Sequence, residues 1–88
     1  MAPDEHSGID VIRRRYSEIY ESEYEELQKR RRTDPNFTID KLRGFLKDAY
    51  RRQDHGWLGE GALYDATQSA IVAACEAVLA EWQAELEE

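Results

Sequence analysis

From Ala62 to Leu86 the chain runs without a glycine or a proline through LYDATQSAIVAACEAVLAEWQAEL. Residues of this kind favour helix, and an uninterrupted run of this length predicts one long C-terminal helix over about 61–87. At about 100° per residue, Tyr64, Ile71, Cys75, Val78, Trp82 and Leu86 fall on one side. A second seam of Leu63, Ala66, Ala70, Ala73, Ala77, Ala80 and Ala84 advances by steps of three and four. Only a narrow strip of Asp65, Ser69, Glu76, Gln83 and Glu87 is consistently polar. A helix with so wide an apolar girth belongs in the middle of a protein, and the remaining residues must supply what covers it.

Those residues predict two more helices and no strand. The first is expected over about 9–32, after a disordered tail at 1–8 in which Ser7 or Gly8 caps the helix. Its stripe is Ile9, Ile12, Tyr16, Ile19, Tyr20, Tyr24 and Leu27, and tyrosines four apart can stack along one face. Glu23 lies on that stripe, at its edge or beside a basic neighbour. Thr33-Asp34-Pro35-Asn36 reads as a turn, because proline forces the residue before it out of helix geometry. Thr38 then caps a second helix over about 39–54, with the apolar arc Ile39, Leu42, Phe45, Leu46, Ala49 and Tyr50, and Gly56 and Trp57 closing it. Short connections imply an up-down-up three-helix bundle forming a single all-α domain over 1–88. The third helix should outrun the second by about two turns, leaving Trp82 and Leu86 to other cover.

Charge is unevenly shared. The net −7 of the 88 residues splits into −2 for 1–8, +1 for 9–32, −1 for 33–37, +2 for 38–54 and −7 for 55–88, which holds no Lys or Arg. Two slightly basic segments therefore accompany one acidic helix, and complementation within the fold or its oligomer accounts for the pattern. Lys29 to Arg32 are placed to meet Glu81, Glu85, Glu87 and Glu88.

Chemistry-bearing motifs are sparse. Asp54, His55, Trp57, Glu60 and Asp65 gather at the glycine-rich joint 53–65, where a small ligand or a metal would sit, although the spacing matches no established metal site. Gly59-Glu60-Gly61 offers amides to an anion that Glu60 would repel. Cys75 has no partner for nucleophilic work and reads as a small hydrophobe. Ser69 and His55 do not complete a triad. The basic clusters Arg13 to Arg15, Lys29 to Arg32 and Arg51 with Arg52 are the best case for weak nucleic-acid binding, the first and last meeting at one end of the bundle, and overall acidity opposes it. No cofactor motif is complete. The single cysteine fits a reducing compartment, the polar, acidic start MAPDEHSGID does not read as a secretory leader, and Ala70 to Ala80 is too short an apolar run to span a bilayer.

The expectation is a soluble, cytoplasmic, non-enzymatic helical contact or assembly module, homodimeric and open to a larger protein partner. The excess apolar girth motivates it, since small side chains let helices approach closely and twofold dimers are the commonest assembly. The contact residues are Ala66, Ala70, Ala73, Ala77, Ala80 and Ala84 with Trp82 and Leu86.

Overall fold

A computed structural model describes the backbone of residues 3–55 and 62–87, and within these the side chains of 10–53 and 64–87. It consists of three helices, α1 (Pro3–Thr33), α2 (Ile39–His55) and α3 (Ala62–Glu87), with no strand among the described residues. The helix expected from Ile9 therefore starts at Pro3, and residues 3–8 are its opening turns rather than a tail. Proline has no N–H to leave unpaired at a first helical position, and extending an existing helix costs far less than starting one, so Gly8 does not stop it.

The turn between α1 and α2 is closed by its own side chains. Thr33 Oγ1 donates to the Lys29 carbonyl at 2.7 Å, and the Asp34 N–H donates to the Arg30 carbonyl at 2.8 Å, which satisfies the end of α1. Asp34 Oδ1 accepts the Asn36 N–H at 2.9 Å, and the Asp34 carbonyl accepts the Phe37 N–H at 3.1 Å. Thr38 caps α2 as its type predicts, its Oγ1 accepting the Lys41 N–H at 3.3 Å. The cap expected of Gly56 and Trp57 lies outside the described residues.

Both α1 and α2 pack along α3 and touch each other only slightly. Across α2 and α3, Tyr50 meets Glu76, Arg52 meets Gln68 and Gln53 meets Ser69, so the two helices are antiparallel. Across α1 and α3, Tyr24 and Gln28 meet Glu81, and Arg31 meets Glu85, so this pair is parallel and the path is up, down, up. Continued to the start of α2, the antiparallel register sets Ile39 beside the last two turns of α3. The Phe37 ring against Trp82 marks where the start of α2 meets α3, and residues 84–87, all exposed, run beyond it.

The core is thin and sits toward that end. Leu27, Phe37, Leu42, Cys75 and Val78 form its buried cluster, with Tyr24, Leu46, Ile71, Leu79 and Trp82 packed around it. Trp82 is half-buried because the Phe37 ring lies 5.9 Å from its own and the Arg31 guanidinium stands 5.0 Å over its face. The tyrosine ladder forms as the spacing predicts, with Tyr16 and Tyr20 at 6.4 Å and Tyr20 and Tyr24 at 6.0 Å, both stacked.

Candidate functional site

The wide apolar girth of α3 is largely used inside the chain. Ala66, Ala70, Val72, Ala74, Cys75 and Val78 are buried, on several sides of the helix at once, because α1 and α2 lie on different flanks. Ala66 and Ala70 are thus internal packing positions in a single copy. Further along, Ala73 and Ala77 are half-buried, and Ala80 and Ala84 are exposed.

The expected contact residues consequently do not share one surface. Leu86 is 67% exposed, but it lies about 120° round the helix from Ala80 and about 160° from Ala84. Trp82 faces the core with Phe37. What remains open is the strip of α3 between α1 and α2 that carries Glu76, Ala80, Ala84 and Glu87, all exposed.

Each flanking helix is tied to α3 at the border of this strip by a tyrosine. Tyr24 Oη donates to Glu81 Oε2 at 2.5 Å, and Gln28 Nε2 donates to the same oxygen at 3.0 Å. On the other side Tyr50 Oη donates to Glu76 Oε2 at 2.6 Å. The accepting carboxylates hold both phenol protons, so both hydroxyls titrate above the ordinary 10.0. Sequence reasoning placed Tyr24 and Tyr50 in apolar arcs and missed these roles. Their signal was a phenol at the edge of such an arc, whose hydroxyl needs a partner, facing a helix with acids on its polar margin.

Arg31 Nη2 pairs with Glu85 and holds that carboxyl below its ordinary range, as the complementation of Lys29 to Arg32 with the acidic end of α3 anticipates. Tyr24, Gln28, Lys29, Arg31 and Arg32 with Glu25 and Glu85 line an open trough of about 750 Å³. Its mixed charges leave no single ligand class favoured.

On the far side of α3, Ile71 and Cys75 form the floor of a cleft of about 160 Å³. Glu23, Glu26, Leu27 and Arg30 of α1 and Phe45 and Arg52 of α2 wall it. Binding pockets for small molecules usually start near about 300 Å³. Burial pushes the Cys75 thiol up to about 11, so at neutral pH it is protonated and not a nucleophile. Glu23, expected at the edge of the buried face, is half-buried on this wall.

The alternative ligand set is only partly within view. Trp57 and Glu60 lie outside the described residues, as do the side chains of Asp54 and His55; Asp65 is exposed in the first turn of α3. Among the described residues no three His, Cys, Asp or Glu side chains gather as a metal would require. Arg13, Arg14, Arg15, Arg51 and Arg52 are exposed, and Arg52 Nε donates to the buried Gln68 at 3.4 Å. No described helix is long and apolar enough to cross a membrane. No protein-family model, no curated protein and no solved structure is similar to this chain.

Proposed function

We propose that this chain is a non-enzymatic helical contact module that assembles with a second copy of itself through the open strip of α3. One observation supports this most directly. Where α1 and α2 part, α3 presents Ala80 and Ala84 to solvent in its last two turns, and small exposed side chains let another helix approach to contact distance. A standard interface takes about 800 Å² per partner, about an eighth of the chain's 6383 Å². Two alanines do not supply that area, so the edges of α1 and α2 beside the strip take part, Tyr50 among them.

Sedimentation from about 10 µM to several hundred µM is the test, because a small interface near the lower size limit gives a concentration-dependent mass. Wild-type protein is expected to rise toward twice 10.3 kDa. Ala80→Glu, a substitution at an exposed position, should leave the helical signal and melting temperature unchanged and hold the protein at 10.3 kDa. A wild-type chain that stays monomeric throughout excludes self-association. The same charge introduced at Ala70, which is fully buried, should instead unfold the chain.

A further inference from the structure

The polar ties that hold the flanking helices all lead to α3. Tyr24 and Gln28 of α1 reach Glu81, and Arg31 reaches Glu85. Tyr50, Arg52 and Gln53 of α2 reach Glu76, Gln68 and Ser69. Among the described residues no hydrogen bond or ion pair joins α1 to α2. At the turn end the two helices share the buried cluster through Leu27 and Leu42, and outside it the gap is spanned by a cation over rings. The Arg30 guanidinium of α1 stands 5.6 Å from the centre of the Phe45 ring of α2 and 5.8 Å from that of Phe37 in the connecting turn, and the two rings are 5.8 Å apart. Arg30 and Phe45 are also walls of the cleft of about 160 Å³ that has Ile71 and Cys75 as its floor.

We infer that the α1–α2 cleft is a conformational gate latched by Arg30: when the guanidinium leaves Phe45 and Phe37, the two helices part on this side while each stays tied to α3, and the Cys75 thiol becomes accessible. The latch is inexpensive to release. Arg30 and Phe45 are both exposed, so water already reaches them, and Glu26, 4.0 Å from Arg30 on the same helix, remains beside the freed charge. Four of the cleft's walls, Glu23, Glu26, Arg30 and Arg52, are charged and hydrate readily as it widens. The ties from Tyr24 to Glu81 and from Tyr50 to Glu76 lie away from the cleft, so opening it spares them. Such an opening is local, and it exposes far less surface than unfolding the chain.

Cys75 is the only cysteine, so its rate of modification by methyl methanethiosulfonate, followed by mass, reports the opening. The rate is measured for wild type, Arg30→Gln, Arg30→Lys and Arg32→Gln across a series of urea concentrations below the unfolding transition. Arg32→Gln removes the same charge at an exposed position two residues along α1 and serves as the control. Glu23, Arg52 and Glu76 are the charges that act on the thiol, so replacing Arg30 changes access rather than intrinsic reactivity. A local opening gives wild type a rate nearly independent of urea until global unfolding takes over. In that urea-independent range Arg30→Gln is expected to react about three- to tenfold faster than Arg32→Gln, with Arg30→Lys between them because an ammonium also binds a ring face. A wild-type rate that climbs with the full slope of global unfolding from zero urea would show that the cleft does not open on its own. Equal rates for Arg30→Gln and Arg32→Gln would show that Arg30 does not latch it.

Discussion

At the scale of single residues, the buried groups of this protein avoid charge. Cys75 is buried in α3 at the floor of the cleft between α1 and α2, and its thiol is held protonated by burial, with Glu23 adding to the effect. The sign of the consequence is fixed. A thiol raised from 9.0 to about 11 keeps its proton in the folded state when the unfolded chain has already lost it. Stability from this group is complete below pH 9 and is lost as pH rises toward 11. Tyr24 and Tyr50, both raised above 10.0 by hydrogen bonds to carboxylates, act in the same direction at slightly higher pH. Melting temperature should therefore fall between pH 8.5 and 11, and Cys75→Ala should fall less steeply over that window, whatever its absolute stability. Parallel slopes for the two proteins would show that the thiol is not desolvated. The same burial predicts that iodoacetamide at pH 8 modifies Cys75 slowly until urea unfolds the chain.

At the scale of elements, what the sequence reveals follows from how local the cause is. The Thr38 cap, the Asp34 turn and the tyrosine ladder each depend on residues within four positions, and each is found where the spacing puts it. The start of α1 lies six residues before Ile9, at a point where a tail and an extended helix differ by little free energy and Pro3 is compatible with both. The alanine seam is divided between buried Ala66 and Ala70 and exposed Ala80 and Ala84. An alanine says that something comes close, not whether it belongs to the same chain, and the partner of Ala66 and Ala70 proves to be intramolecular. Gly44 offers a test at this scale. It lies exposed inside α2, and nothing stands within 4 Å of where a Cβ would be. Gly44→Ala should stabilise α2 by about 0.5–1 kcal/mol, raising the melting temperature by roughly 2–8 °C for a domain of this size. Thr38→Ala should cost about 1 kcal/mol in the opposite direction. An unchanged or lowered melting temperature for Gly44→Ala would mean that the backbone at residue 44 is not regular helix.

At the scale of the molecule, the structure is long for its mass. Its radius of gyration is 15.3 Å and its extents are 52 × 27 × 21 Å, whereas a compact chain of 88 residues would have a radius near 12 Å. The 31-residue α1 sets the length, and the buried cluster lies toward one end of it. Leu27 is the only buried side chain of α1 from Asp10 onward. Stability should be distributed accordingly, since local opening follows the density of buried contacts. Leu42 and Val78 have no exposed surface, and Leu42→Ala should remove about 2–5 kcal/mol, a large part of the roughly 5–15 kcal/mol that holds a domain together. A substitution at half-exposed Ile12 should cost much less, because α1 has no buried anchor between Asp10 and Tyr20. Amide hydrogen exchange measures the gradient directly. The slowest amides should lie around Leu42, Cys75 and Val78, and those of residues 10–20 should exchange faster than those of 24–31 although both belong to one continuous helix. Uniform protection along α1 in a monomeric sample would mean that its first half is held by packing as firmly as its second. Uniform protection that appears only as concentration rises would place a second copy on the first half of α1, and would move the interface away from the open strip of α3.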